Sequence, residues 1–419
     1  MKFAGLALFC GILLISFQNC SGLGGFQLPS QTSLDLGSLS TTGSGAPTPT
    51  PTPLGTPVPG PTATSTPPPP GPAGDLKKTY FYFGRVSGVD ALVLDHGSGQ
   101  VTLLPGVSFS GRMVGWLNYE KTSGEVLASD ITQANLQIYN FKPDTGALNS
   151  VRSLSSFASA VVHLSLVPGM NGWDLFTSSY DRGVLDYYHL SQDQTQLTRQ
   201  QTVSFGAGAK THSSAFDSKR NLLYVANLGL DKISVYQVTA TGLQPQATIS
   251  VLDPRTLVYD ARYDKLFVAT EAYTGNSYIR IFEIAGDAGA YTFSEAGSLA
   301  MPLVGGDLKV NHKMGYVMAT VRESGKEAVV GLPLTSQGLV DKNRAAFSVR
   351  VDQKTPRALE VTEDGEYMAV GMNSVSAENI VVYRLVFDSQ ANFVSSQKLF
   401  QKKVDGNQGY ACGLSIPVY

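Results

Sequence analysis

The sequence predicts an all-β protein whose folded part is a seven-bladed β-propeller with four antiparallel strands per blade, and three observations predict it. Aromatic residues make up 10% of the 419 positions and Gly fills 43 of them, a composition typical of sheets joined by turns. A strand of the form hydrophobic-x-hydrophobic-aromatic-x-hydrophobic recurs every 45 to 51 residues. Most copies follow a pair of apolar segments separated by a polar turn, as expected of a propeller blade.

The chain begins with a predicted signal peptide, residues 1–19. Lys2 precedes an apolar run that extends from residue 3 to residue 17, which is short for a membrane-spanning helix. Cys20 closes this region and resembles the acylated cysteine of a bacterial lipoprotein, although Asn19 before it is an unusual residue for such a signal. We therefore expect an exported protein anchored to the membrane of the cell envelope by a lipid on Cys20. The alternative is an uncleaved N-terminal anchor.

Residues 20–75 form a predicted disordered linker. The segment 46–72 contains 12 prolines in 27 residues, and proline both presets the φ angle for polyproline II and removes a backbone donor. A semi-rigid stalk of about 80 Å is the expected result, at about 3.1 Å per residue. A PxxP recognition segment is the alternative interpretation. If Cys20 is acylated, Cys412 has no partner for an intramolecular disulfide.

Residues 76–419 form the predicted propeller domain, which is long enough to bury a large core. The aromatic-equivalent positions of the seven repeats are Leu94, Tyr139, Tyr188, Tyr236, Phe282, Leu332 and Tyr383. In the fourth repeat, apolar segments at 212–216 and 222–227 flank a polar turn, which predicts an antiparallel hairpin. The first repeat starts with its second strand, at 80–84. We predict that the tail, 409–419, supplies the missing strand and closes the ring, which removes an open sheet edge.

Charge and motifs exclude several classes of function. The formal net charge is −2, so nothing indicates a general affinity for nucleic acid. Apart from His212, the histidines lie at 96, 163, 189 and 312 and show no spacing typical of metal ligands. We predict no metal, no cofactor and a monomer.

One stretch identifies a family. Residues 212–236, and above all Asn227-Leu228-Gly229-Leu230-Asp231, resemble the seven-bladed lactonase family, which includes a bacterial 6-phosphogluconolactonase and the fungal carboxy-muconate cyclase. The similarity is good over 205–385, where Pro254-Arg255 and Pro356-Arg357 also fit the pattern.

The resemblance implies which residues form an active site. His212, Arg255, Glu271 and Arg322 occupy the positions of the family's proposed catalytic groups, and Arg357 is a candidate substrate-binding residue. The chemistry implied is the hydrolysis of a lactone, with Glu271 as a base whose pKa burial raises and His212 as the proton donor. Arg255 and Arg322 would hold an anionic group and stabilise developing charge.

The sequence departs from the family at three places around this site. Thr211 stands where the family has Pro, Thr256 where it has His, and Gly306-Asp307 where it often has Ala-Glu.

Structural roles for these residues are the alternative. An Arg–Glu pair can simply tie the channel wall together, a histidine can form hydrogen bonds at a strand start, and Arg357 can link two blades. Two functions therefore remain open: an envelope-anchored hydrolase of an unidentified lactone, or a non-catalytic propeller that binds a protein or glycan of the envelope.

Overall fold

The computed structural model describes residues 75–131, 134–155, 157, 161–169, 171–302, 305–351, 355–373, 379–402 and 409–419. The predicted signal peptide, the lipidation site and the linker up to residue 74 lie outside the described residues. No helix in the described part of the chain has the length and hydropathy needed to cross a membrane.

The described residues are nearly all in strands. The strands of the N-terminal region are β1 (Lys78–Asp95), β2 (Gln100–Glu120), β3 (Glu125–Asp130), β4 (Asn135–Lys142) and β5 (Ala147–Ser155). Four-stranded sheets follow, made of β6 (His163–Gly169), β7 (Gly172–Ser179), β8 (Val184–Ser191) and β9 (Leu197–Ser204), then β10 (Thr211–Asp217), β11 (Leu222–Asn227), β12 (Lys232–Thr239) and β13 (Gly242–Ser250).

The C-terminal half continues the same arrangement. Its sheets are β14 (Pro254–Asp260), β15 (Lys265–Thr270), β16 (Ser277–Ala285) and β17 (Thr292–Met301), then β18 (Gly305–Asn311), β19 (Tyr316–Val321), β20 (Ala328–Pro333) and β21 (Phe347–Arg350), then β22 (Pro356–Val361), β23 (Tyr367–Met372), β24 (Ile380–Phe387) and β25 (Phe393–Lys402), with β26 (Tyr410–Val418) last. Two 3₁₀ turns, Ala207–Ala209 and Leu228–Leu230, lie beside the sheet formed by β10 to β13.

The first two blades share strands. β1 pairs with β26 through 78–85 and with β2 through 86–95, and the amide of His96 donates to the carbonyl of Lys77 at 2.9 Å. A fully extended chain would separate these two residues by about 60 Å, so β1 reverses direction and supplies two strands of blade one. β2 likewise ends blade one and begins blade two at Val114. The seven-bladed, four-stranded prediction is confirmed, with longer strands at this junction than the repeat predicted.

The C-terminal strand closes the ring, as predicted. β26 runs antiparallel to the first half of β1, with Tyr80 opposite Ile416 and Phe83 opposite Gly413. The hydroxyl of Tyr410 also donates to Asp90 at 2.5 Å. Blade one is therefore assembled from both ends of the domain, and β26 covers the edge that β1 would otherwise expose.

The hydrophobic core lies between neighbouring blades. The repeated aromatic position is buried wherever the repeat carries Tyr or Phe, at Tyr139, Tyr188, Tyr236, Phe282 and Tyr383. Phe282, for example, packs in one cluster with Tyr224 and Leu266 from two adjacent blades. The periodic aromatic residue therefore joins the blades, which explains why it recurs once per blade.

The innermost strands enclose a central channel. Each contacts the next around the ring, in the order β26, β2, β6, β10, β14, β18 and β22. Side chains near the start of one strand bond to the start of its neighbour: Ser213 Oγ donates to the carbonyl of Arg255 at 2.6 Å, and Thr256 Oγ1 to that of Gly306 at 2.9 Å. These inner strands run in one direction, so their first residues meet at one mouth of the channel.

Candidate active site

In each blade, the start of the first strand and the end of the second strand lie at the same mouth of the channel. His212, Arg255 and Arg357 lie at the second position of β10, β14 and β22. The second strand of each blade runs the opposite way, and Glu271 and Arg322 follow the ends of β15 and β19. The five residues predicted from the sequence, defined here as the arginine cluster, are therefore delivered to one place from four different blades.

Glu271 lies at the centre of the arginine cluster. Its side chain is buried, with 1% of the residue exposed. Arg255 Nε lies 2.5 Å from Glu271 Oε2, and Arg322 Nη2 contacts Oε1. Arg322 Nη2 also donates to the carbonyl of Gly305 at 3.3 Å. One carboxylate thus pairs with two buried guanidinium groups, which fixes the position of all three side chains.

The structure corrects the expected protonation of Glu271. Burial by itself would raise the pKa of this carboxyl, as the sequence analysis assumed. The positive charges of Arg322 and Arg255, and the hydrogen bond from the hydroxyl of Tyr273, outweigh burial and hold the pKa of Glu271 below its usual range. Glu271 is therefore an ionised partner of the arginines, and because Arg255, Arg322 and Tyr273 occupy its two oxygens, neither oxygen is placed to take a proton from water.

His212 is held in the neutral form. Burial disfavours the imidazolium ion, and the nearby charges of Arg255, Arg322 and Arg357 disfavour it further, so the pKa of His212 lies well below 6.5. Its Nδ1 is buried without a hydrogen-bond partner among the described residues. The ring of Tyr180 meets it edge-on, with 5.9 Å between centroids. A neutral imidazole can accept a proton, but it cannot begin a reaction as the donor.

Arg357 completes the arginine cluster. It is buried, with 6% exposed, and its charge lowers the pKa of both Glu271 and His212. With Arg255 and Arg322 it makes three guanidinium groups around one carboxylate. The defined cluster carries an excess of positive charge in a buried site, an arrangement suited to a carboxylate, a phosphate or a developing oxyanion.

The departures from the family pattern form local contacts beside the cluster. Thr211 Oγ1 donates to Asn227 Oδ1 at 2.9 Å, and Thr256 bonds to Gly306 of the next blade. A Cβ on Gly306 would clash with Thr320 Oγ1, so Ala would fit there only if the Thr320 side chain moved. Asp307 accepts the amide of Leu359 at 3.0 Å. These substitutions reinforce the channel wall.

A cavity of about 370 Å³ lies in the channel among the inner strands. Trp116, His163 and Lys309 contribute to its wall, and Lys309 Nζ lies 2.9 Å from Glu360 Oε1. Burial and the charge of Lys309 lower the pKa of His163 to about 3. The amide of Ser214 donates to His163 Nδ1 at 3.4 Å, which is consistent with an unprotonated nitrogen there.

Sequence reasoning missed Tyr273, whose hydroxyl donates to Glu271 Oε1 at 2.5 Å. A tyrosine three residues beyond the end of a strand carries no motif, and this contact depends on how the loop folds back. Within the described ranges, no three His, Cys, Asp or Glu side chains are grouped so that they would hold a metal ion. The absence of a metal from the reaction stays a prediction.

Solved structures resemble the propeller in fold. A candidate 6-phosphogluconolactonase from Bacteroides fragilis is 16% identical over 82% of this chain and 99% of its own, with a TM-score of 0.66. A candidate 6-phosphogluconolactonase from Bacteroides uniformis is 14% identical over 81% of this chain and 100% of its own, with a TM-score of 0.65. The periplasmic gluconolactonase of Pseudomonas aeruginosa is 16% identical over 80% of this chain and 99% of its own, with a TM-score of 0.63. At these identities the likeness shows the fold alone. No curated protein matches the sequence.

The family comparison covers most of the domain. The sequence model of one protein family, "Lactonase, 7-bladed beta-propeller", matches residues 77–391 of this chain. This range includes all five residues of the arginine cluster and all seven aromatic-equivalent positions, from Leu94 to Tyr383. The chain therefore belongs to the seven-bladed β-propeller lactonase family.

Proposed function

We propose that the protein hydrolyses a lactone at the mouth of its channel. The observation that carries the proposal is the arginine cluster: two guanidinium groups fixed on a buried carboxylate, beside a third arginine and a neutral histidine. Ester hydrolysis requires a group that activates water and a positive group that stabilises the oxyanion. The family assignment supports the same reaction class.

The protonation states assign different roles from those expected from the sequence. Neutral His212 accepts a proton from water as the oxygen of that water forms a bond to the lactone carbonyl carbon. Arg255 and Arg322 stabilise the negative charge that develops on the carbonyl oxygen. The ring C–O bond then breaks, and the leaving alkoxide takes the proton from the imidazolium of His212. The product is a hydroxy acid, and His212 is neutral again.

Glu271 and Arg357 complete the mechanism without transferring a proton. Glu271 stays ionised and holds Arg255 and Arg322 in position, which lowers the reorganisation needed when charge develops. Arg357 adds a positive charge that favours a substrate with a second anionic group, such as a carboxylate.

Lactone opening by the purified full chain tests the proposal. Acid release in a pH-stat, across a panel of sugar and carboxy-lactones, is expected to exceed the uncatalysed rate for at least one compound. The His212→Gln variant is expected to lose about 10² to 10⁴ in kcat/KM, as for the removal of a general base. His312→Gln is the matched control, because His312 follows the far end of β18 and pairs with Asp260 at 2.8 Å. Absence of turnover in the wild-type protein, or an unaffected His212→Gln variant, would refute the proposal.

We also propose that the protein is exported and anchored by a lipid on Cys20. The apolar segment that ends before this cysteine supports the proposal, and acyl chains contribute about 0.8 kcal/mol of membrane affinity per buried CH₂. In cell fractionation with palmitate labelling, Cys20→Ser is expected to lose the label and the membrane association. Cys10→Ser, inside the apolar run, is expected to retain both. Label that persists in the Cys20→Ser protein would contradict the assignment.

A further inference from the structure

Exposed apolar side chains are concentrated beside the arginine cluster. Leu230, Leu252 and Tyr273, defined here as the apolar rim, are 38%, 53% and 39% exposed. They are three of the seven large hydrophobic side chains exposed among the described residues. The other four are Val151, Val386 and Val394, on the third or fourth strands of their blades, and the terminal Tyr419. Exposed apolar residues are ordinary when scattered, but a contiguous group at a binding site indicates a contact surface.

Hydrogen bonds donated by two backbone amides hold the loops of the two leucines close to Glu271. The amide of Glu271 donates to the carbonyl of Asp253 at 2.8 Å, and the amide of Asp253 donates to Asp231 Oδ1 at 3.0 Å. Leu252 and Leu230 directly precede these two aspartates. The three loops that carry the apolar rim are therefore linked to one another and to the central carboxylate, rather than placed independently on the surface.

Tyr273 connects the apolar rim to the charged site. Its hydroxyl donates to Glu271 Oε1, inside the arginine cluster, while more than a third of the residue is exposed. A tyrosine can present a polar tip to a buried polar group and an apolar ring to a ligand. Charged and apolar recognition elements are thus continuous at this mouth of the channel.

We infer that the substrate is a lactone bearing an apolar substituent, which packs on the apolar rim while the lactone carbonyl lies at Arg255 and Arg322. This inference rests on the proposed hydrolysis and specifies its substrate class. Pockets for small molecules combine an apolar surface with a few polar groups that fix orientation. Each methylene that leaves water is expected to increase kcat/KM about two- to fourfold, the upper value corresponding to full burial.

A chain-length series tests the inference in the full-length protein. From γ-butyrolactone through γ-hexalactone to γ-octalactone, kcat/KM is expected to rise at least about tenfold. In the Leu252→Ser variant, the ratio of kcat/KM for γ-octalactone to kcat/KM for γ-butyrolactone is expected to fall toward one. Val394→Ser, on β25 of another blade and 61% exposed, is the matched control and is expected to keep the wild-type ratio. A flat series in the wild-type protein would overturn the inference.

A binding series separates the inference from the hydrolysis on which it rests. Calorimetry with acetate, butyrate and octanoate needs no turnover, and octanoate is expected to bind at least tenfold more tightly than acetate in a Leu252-dependent manner. If octanoate binds more tightly in this way and no lactone is opened, the apolar rim is a binding surface and the proposed hydrolysis is wrong. If lactones are opened while octanoate binds no more tightly than acetate, the hydrolysis stands and the inference is wrong.

Discussion

Replacing Glu271 by Gln tests the electrostatic centre of the site. The substitution keeps the size of the side chain and removes the charge shared by Arg255 and Arg322, whose residues are 7% and 5% exposed. Two buried guanidinium groups would then lack their common counter-ion. Breaking a buried ion pair by removing one partner costs about 3 to 5 kcal/mol, and we expect the free energy of unfolding at pH 7 to fall by that amount.

A second glutamate in the same blade provides the matched control. Glu283 lies 3.4 Å from Lys265, and its side chain is 47% exposed. An exposed pair contributes roughly 0 to 1 kcal/mol, so Glu283→Gln is expected to change the free energy of unfolding by no more than that. Urea unfolding followed by the fluorescence of Trp116 and Trp173 measures both variants. Equal losses for the two variants would refute the assignment of Glu271 as a buried counter-ion.

The pH dependence adds a check with a definite sign. The pKa of Glu271 is lower in the folded protein than its usual value of 4.5. Its stabilising contribution is therefore fully present above pH 4.5 and is lost as the pH falls toward the folded pKa. The stability difference between wild-type protein and Glu271→Gln is expected to shrink below pH 4.5.

Three further predictions follow from the site, the channel and the ring closure. Because the pKa of His212 lies well below 6.5, the acid limb of the kcat/KM profile is expected below pH 6.5; a limb at or above that pH would exclude neutral His212 as the base. The pKa of His163 is lowered to about 3 in the folded protein, so between pH 6.5 and 3 this histidine binds a proton more readily in the unfolded chain. The free energy of unfolding is therefore expected to fall as the pH falls through this range, by up to about 5 kcal/mol. His163→Gln is expected to flatten this dependence in urea titrations, and an unchanged slope would contradict it. Removing Tyr410–Tyr419 eliminates the strand that pairs with β1 and is expected to cause unfolding or association, which thermal melting and sedimentation would detect. Removing Tyr419 alone is the control and is expected to leave a folded monomer. A folded monomer after the longer truncation would refute the role of this strand in closing the ring.

Local sequence determined the blades and the positions of the candidate site residues. Alternating apolar residues specify the strands, and the repeat of this pattern about every 48 residues specifies their order. The pattern recurs because each blade must bury its faces against its neighbours. A residue at a given place in the repeat reaches a given height in the channel. For that reason the positions of Arg255, at a strand start, and Glu271, after a strand end, could be inferred without coordinates. The missing first strand of blade one likewise predicted that the tail would close the ring.

Tertiary structure alone decided the chemistry of those residues. The pKa of Glu271 depends on Arg322, which lies 51 positions later in the chain and reaches it only because two blades meet at the channel. The same holds for His212, whose neutral form results from burial and from charges on three other blades. Tyr273 and Leu252 carry no periodic signal, since their loops are positioned by hydrogen bonds to neighbouring loops. Strand pattern is a local property of the chain, whereas protonation and surface recognition arise from groups that are distant in sequence and adjacent only after folding.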